Sequence, residues 1–530
     1  MVVGGAPGVY VEEQVSGSMP LQGVGTAVAA FVGFTEKYDR KNGDSTDPEG
    51  VKPQLVTSWP QYERVYGSFA PDIVLPHAVK GFFENGGSSC YIVRIPTGAD
   101  TPAPRRALPA VGRPEAESLV VEALDATAAL EVVVETEPPA EGAAQEFTVK
   151  VVRGGTIEEH FPNLSLGKGN QNAGRVINDG SELIRVETRS IPGLSSAERI
   201  PAPGVYVIEP SASAAPAAIT ATPADLAGSE TTRTGYEGLA IAEDVSIVAI
   251  PDLITVCRRP DGTVDEEKYL AAQRKLVDWC ELRRSMMAIL DSPPGLNAQQ
   301  ALGWRERLGV DSAFGAAYYP HVVVANPKAR PGATNGERFL TLPPSGHIAG
   351  VWARTDGARG VWKAPANEVI RGIARLETEV TTGEQDKLNP KQVNCLRSFG
   401  ANGLRIWGAR TLASQDQSWR YINVRRLFIY IEETIRLGTQ WVVFEPNDAD
   451  LWGRVNRTIG AFLHNLWMRG ALVGSTPEQA FFVLCNDTNN PQSSIDEGKL
   501  IVDVGVAPVK PAEYVIFRIS QWQGGATTSE

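Results

Sequence analysis

The 530 residues carry 62 acidic and 50 basic side chains, a formal net charge of −12, with 42% hydrophobic and 21% charged residues. This is the composition of a soluble globular protein with room for two or three domains. No apolar run approaches the roughly 18 residues needed to cross a bilayer, no basic stretch followed by an apolar core opens the chain, and the overall acidity argues against nucleic acid as a partner.

In chain order, residues 1–20 read as an extended arm, with Val9, Tyr10, Val11 and Glu12 between Gly- and Pro-rich flanks. Residues 21–100 form the first part of a core. Within it, 26–34 is a small, apolar, β-capable run and 36–53 a polar loop. Residues 60–66 and 77–85 are helical, and 90–95 is a strand. Residues 101–232 differ in composition, being rich in Ala, Pro, Glu and Thr. Short β-branched runs at 131–136, 147–152, 183–187 and 204–208, separated by turn signals, predict a small β-rich domain inserted into the core. Residues 211–221, nearly all Ser, Ala and Pro, read as a linker or exposed loop.

Residues 233–498 alternate strand and helix. Strands are expected at 245–250, 286–290 and within 316–325, and a helix over 265–284 with Leu270, Leu276, Val277 and Cys280 on one side. Such alternation predicts an α/β layer with parallel pairing. A helix over about 419–437 buries Val424, Leu427, Phe428, Ile431 and Ile435 and stops at Gly438. Asn447 or Asp448 caps the next helix, which carries Leu451, Val455, Ile459, Phe462 and Leu466 on one face. Strands at 480–484, 499–506 and 514–519 close the chain, residues 499–530 forming a C-terminal arm. The fold class expected is a mixed α/β core built from both chain ends, with an inserted β-rich outer domain and extended terminal arms.

Chemistry-bearing constellations are sparse. Asp291 and Asp252 follow predicted strands, at the edge where open α/β sheets bind ligands. An enzyme or small-ligand protein centred on them is the alternative reading. Against it, no nucleophile elbow, phosphate loop or dinucleotide fingerprint is present, and Asp291 ahead of two prolines reads equally as a turn residue. None of the five histidines stands in a recognised metal-ligand pattern; His160 follows Glu158 and Glu159, but neighbouring side chains of a β-type run point to opposite faces, and no cofactor is expected. The five cysteines are far apart and read as buried thiols in a reducing compartment, so synthesis in the cytoplasm follows. Between Lys391 and Arg436, eight basic residues face three acidic ones. This segment is either an oriented electrostatic contact or a set of local ion pairs.

The stretch from Leu342 to Asn367, LPPSGHIAGVWARTDGARGVWKAPAN, contains none of these chemistries. Pro343, Pro344 and Gly346 read as a loop, 348–353 as a strand or the start of a helix, and Asp356-Gly357 as a turn. It resembles the signature of the contractile sheath proteins of phage tails, R-type bacteriocins and related injection particles. The resemblance extends to PGVYVEE at 7–13, TSWPQYERVYG at 57–67, FFENGG at 82–87 with CYIVR at 90–94, FEPN at 444–447 and APVKPAEYVIFR at 507–518. It is weakest between about 101 and 232, although 156–161 and 176–181 look like injection-system sheaths.

The resemblance implies a structural subunit, not an enzyme, that polymerises as stacked six-subunit rings around an inner tube and contracts. It implies terminal arms that interlock between subunits, here Val9, Tyr10, Val11 and Glu12 with Tyr514, Val515, Ile516 and Phe517. The sequence leaves open whether those strands complete a neighbour's sheet or their own. Arg420, Arg425, Arg426, Arg454 and Arg457 are the candidates for the tube-facing surface. The implied partners are further copies of the chain, the tube protein, and baseplate and cap proteins, with neither nucleic acid nor membrane contacted by this chain.

Overall fold

The structure, a computed structural model, describes residues 21–38, 47, 50–96, 104–124, 129–136, 146–167, 169–181, 183–209, 219–330 and 334–516. The expected arm residues Val9, Tyr10, Val11, Glu12 and Phe517 therefore lie outside the described residues. The chain divides into two compact units, Met1–Ile95 with Ala221–Glu530, and Pro96–Thr220.

The first unit is built on a nine-stranded sheet. Its spatial order is Glu368–Val369, Leu404–Trp407, Val393–Ser398, Gly315–Tyr319, Met287–Asp291, Ile247–Ala249, Ala29–Gly33, Cys90–Arg94 and Gln54–Val56. The six strands from Val393–Ser398 to Cys90–Arg94 pair in parallel, and the flanking pairings are antiparallel. Ala29–Gly33, Ile247–Ala249, Met287–Asp291 and Gly315–Tyr319 are buried at every position. Parallel strands covered on both faces read in sequence as continuous apolar runs, which is why they were legible. The N-terminal strand lies between Ile247–Ala249 and Cys90–Arg94, with Ala29 opposite both Ile247 and Cys90, so both ends of the chain make one core.

Local signals place the covering helices. Asp265 accepts a hydrogen bond from the Lys268 amide and starts Glu266–Arg283, which Arg284 ends in the left-handed conformation. Asp448 caps Ala449–Met468 through the Leu451 amide. Leu451, Val455, Ile459, Phe462 and Leu466 are all buried there, against Leu427 and Ile431 of Ile422–Gly438. The antiparallel strands Phe481–Leu484 and Asp503–Val506 pack their inner face on this pair of helices.

The signature segment differs from its sequence reading. Ser345–Arg359 is one helix, so Gly346 is not in a loop and Asp356-Gly357 is not a turn. The reason is tertiary. A Cβ on Gly346 would collide with the backbone of Ala78, and one on Gly350 with the backbone of Phe82. The glycines let this helix press directly onto Leu75–Glu84, and that contact outweighs their poor helix propensity. Gly346→Ala is accordingly expected to lose about 2–3 kcal/mol of stability in urea unfolding, where an exposed Gly→Ala would gain roughly 1 kcal/mol. A stabilised variant would contradict the close contact.

Two further expectations are corrected. Val322–Ala325 leaves the main sheet and pairs antiparallel with Phe339–Leu342 and Arg375–Leu376. Residues 514–516 form no strand in this chain.

The second unit contains two antiparallel sheets. One has the order Gly204–Ile208, Leu130–Thr136, Phe147–Arg153, Thr156–Leu164; the other has Arg105–Ala110, Arg113–Ala123, Ile184–Thr188. Leu130, Val132 and Val134 alternate inward and meet Val149, Val151 and Leu164 in a shared core. The hairpin Arg105–Ala123, the strand Thr156–Leu164 and the helix Ala173–Gly180 were not anticipated.

Candidate assembly surfaces

Asp252 and Asp291, the centre of the alternative reading, both belong to the interior. Asp252 is fully buried, and its carboxylate accepts from the amides of Phe34 (2.8 Å), Val74 (2.6 Å) and Leu75 (3.1 Å). The helix Leu75–Glu84 has Val74 at its N-cap and no side-chain cap of its own, so Asp252 caps it from another strand end. Asp291 does the same for Ser345–Arg359, whose N-cap is Pro344: its Oδ1 accepts from the Ser345 amide at 2.9 Å. Burial pushes both carboxyls up to about 7 against the pull of these amides.

The buried histidines are packing groups. Burial pushes His77, His321 and His347 down to about 4. His77 packs on the Phe69 ring at 4.4 Å, and His321 Nε2 donates to the Ser292 carbonyl at 2.7 Å. The five cysteines are all buried and free. Among the described residues no group of three or more His, Cys, Asp or Glu could hold a metal.

The arginines divide sharply. Arg425 is 2% exposed, lies 4.4 Å from the Trp419 ring and 4.7 Å from Phe314, and pairs with Glu432 at 2.9 Å. Arg426 forms a two-pronged pair with Asp356 at 2.8 and 2.6 Å, reaches the Thr26 carbonyl at 2.7 Å, and lies over Trp352. Both are therefore unavailable to an external surface, because the N-terminal turns of Ile422–Gly438 are buried on several sides. One signal existed. If 345–359 is read as a helix, Asp356 falls at i+4 from Trp352 and i+8 from Ile348, and a carboxylate on that apolar face demands a buried cation.

Arg420 is half-buried beside Tyr421, and Arg454 pairs with Glu445 at 2.9 Å over the Trp441 ring. Arg457 is exposed and has no ion pair among the described residues. It shares an open, mostly polar depression of about 520 Å³ with Glu445, Asp448, Asp450 and Arg454. The adjoining loop carries Val443 and a fully exposed Phe444 held at φ 68°. A bulky non-glycine residue in that region is uncommon; the sequence motif at 444–447 marked the place without showing this geometry.

Apolar surface concentrates on the C-terminal part of this unit. The sheet Phe481–Leu484/Asp503–Val506 has two strands only, so each has an unpaired outer edge among the described residues. Its outer face presents Phe482, whose ring lies over Gly505. Tyr514, Val515 and Ile516 are 69%, 70% and 80% exposed. A run of β-branched and aromatic residues left in solvent, like an open strand edge, is a pairing surface that monomeric proteins usually blunt.

Acidic strand ends spent on capping helices, together with apolar side chains left in solvent at Phe482 and Tyr514 to Ile516, are features expected of a structural, assembly-forming subunit. The comparisons with known proteins agree. The family model of the phage tail sheath protein central domain matches residues 261–412, and that of the phage tail sheath C-terminal domain matches residues 414–521. The tail sheath protein of Vibrio phage KVP40 is 28% identical over 238 residues, 43% of this chain and 34% of the relative. That of Burkholderia phage BcepMu is 28% identical over 244 residues, 44% of this chain and 48% of the relative. This chain thus spans a third to a half of the length of these curated relatives. The helical sheath of the anti-feeding prophage (AFP) in its contracted state superposes with a TM-score of 0.57 at 26% identity, covering 98% of this chain and 100% of that one. The chain belongs to the phage tail sheath family.

Proposed function

We propose that this chain is the sheath subunit of a contractile injection system, acting as a structural element and not as an enzyme. In this reading it polymerises as stacked hexameric rings around an inner tube, bounded by baseplate and cap proteins. Contraction then drives the tube through a target envelope. The observation that carries the reading is the end-to-end likeness to the helical sheath of the anti-feeding prophage (AFP) in its contracted state, with 98% and 100% of the two chains covered. No nucleotide is needed, because the extended sheath is a kinetically trapped state that relaxes to one burying more surface between subunits. The subunit is made in the cytoplasm and acts within an assembled particle. No helix among the described residues is long and apolar enough to cross a membrane, and neither membrane nor nucleic acid is proposed as a partner.

The linkage between subunits is β-strand addition. Tyr514, Val515, Ile516 and Phe517 of one copy, and Val9 to Glu12 of another, would lie along open edges of a third copy's Phe481–Leu484/Asp503–Val506 sheet. The exposed, β-prone side chains of Tyr514, Val515 and Ile516 and the two unpaired edges among the described residues support this arrangement. Of the candidates for the tube-facing surface, Arg457, with Arg454 in the same depression, and the separate Arg420 remain, because Arg425 and Arg426 are interior. A chain ending at Glu513 is expected to fold normally and to form no tubes in electron micrographs. Tubes at full yield from that chain would refute the arm linkage.

A further inference from the structure

After Asp503–Val506 the chain leaves the small sheet and crosses the body. The Val509 N–H donates a hydrogen bond to the Ala471 carbonyl, and the Val509 carbonyl accepts one from Asn423 Nδ2. Beyond it, residues 510–516 make no backbone hydrogen bond among the described residues. Their polar contacts converge instead on the Arg410 guanidinium and its surroundings: the Tyr514 hydroxyl accepts from Arg410 Nη2 at 3.4 Å, and the rest fall on one carboxylate, Glu513.

Each Glu513 oxygen accepts two hydrogen bonds. Oε1 accepts from Arg410 Nε at 2.8 Å and from Asn389 Nδ2 at 2.9 Å. Oε2 accepts from Arg410 Nη2 at 2.6 Å and from the Tyr421 hydroxyl at 3.2 Å. Four donors around one carboxylate fill its lone-pair sites, and the planar guanidinium supplies two of them as a fork. The pair is sheltered, with side-chain exposures of 7% for Arg410 and 19% for Glu513. Burial works against both charges, yet the hydrogen bonds and charge of Arg410 hold Glu513 below its usual range.

Arg410 is itself fastened to the central sheet. Asn394, fully buried on Val393–Ser398, accepts from the Arg410 amide at 2.7 Å and donates to its carbonyl at 2.8 Å. The same Asn394 amide group donates to the Ala317 carbonyl of the neighbouring strand Gly315–Tyr319 at 3.1 Å. One residue past Glu513 the exposed run Tyr514, Val515, Ile516 begins.

We infer that Glu513 is the latch of the C-terminal arm: it sets where the arm leaves the body and carries load on the arm through Arg410 and Asn394 into the central sheet. This rests on the arm linkage proposed above and names the residue that positions it. A latched arm meets its neighbour with a fixed exit point, so less freedom is lost on joining. During contraction, a pull on the arm would reach the rigid sheet instead of peeling 507–513 off the body.

The test uses the full chain with Val515→Cys carrying a nitroxide, the five native cysteines being buried. Glu513→Gln keeps the shape but sets an amide N–H₂ against the guanidinium. Arg410→Met with Glu513→Gln removes the latch without leaving a sheltered, unpaired cation. The expected result is a restricted spectrum in the parent and a mobile one in both variants, with melting within a few degrees of the parent. Tube yield at fixed protein concentration falls about tenfold or more if each junction must first order the arm. A restricted spectrum in both variants, or parental tube yield from a mobile arm, overturns the latch. The chain ending at Glu513 separates the two levels. If it makes no tubes while Glu513→Gln does, the latch fails and the arm linkage stands; if it makes tubes at full yield, both fail.

Discussion

Substituting Asp356 by alanine, or Arg426 by methionine, is expected to lower the unfolding free energy by about 3–5 kcal/mol, whereas Asp356→Leu with Arg426→Met returns to within about 1 kcal/mol of the parent. Both side chains are 3% exposed and joined by two hydrogen bonds, so each single change strands a charge in the interior. The double change leaves none. Burial holds Asp356 above the usual carboxylate range despite the guanidinium beside it. A raised folded-state value means that this carboxyl's contribution is complete at acid pH and declines as pH rises through it. At neutral pH the charged pair is therefore not a large source of net stability. What it specifies is register, tying Ser345–Arg359 to Ile422–Gly438 and, through the Thr26 carbonyl, to the segment ahead of the first strand. Urea unfolding followed by tryptophan fluorescence reports on this directly, because Trp352 lies against Arg426. Equal, small losses in all three variants would mean that the pair is wet and carries no such constraint.

Asp252→Ala is expected to cost about 3–5 kcal/mol, since three buried amides lose their acceptor at roughly 1–3 kcal/mol each and the cavity relaxes only in part. Asp252→Asn should cost less. It keeps one acceptor oxygen but turns an N–H₂ toward amides that need an acceptor. Hydrogen exchange at Phe34, Val74 and Leu75 should accelerate in both variants, with alanine the faster. Protection unchanged at these amides would contradict the capping role and return Asp252 to consideration as a chemical group.

What the sequence made legible follows physical range. The helix Glu266–Arg283 and the cap at Asp448 are local, set by residues within four positions of one another. The buried strands were legible because a doubly covered strand needs apolar residues at every position. Ser345–Arg359 was legible only in part: 348–353 was open to strand or helix start and Pro343 and Pro344 do precede the helix, but Gly346 and Asp356-Gly357 have the local chemistry of a loop and a turn. Only the backbone of Leu75–Glu84, more than 250 positions away in the chain, explains Gly346 and Gly350 as helix-packing residues. The roles of Asp252, Asp291 and Arg426 are likewise long-range, each partner lying on an element that no local pattern links to it. At the candidate surfaces, composition pointed to the basic helices but not to which face is turned inward, so Arg425 and Arg426 were grouped with Arg457. Tyr514 to Ile516 has strand composition and no strand partner among the described residues of its own chain, which local propensity cannot distinguish from an internal strand.

The most direct test of the account is electron microscopy of the purified chain, alone and mixed with its tube protein. The account predicts hollow cylinders with a helical repeat and six subunits per turn or ring, absent from the chain ending at Glu513. Dispersed single subunits under both conditions, from the intact and folded chain, would contradict it.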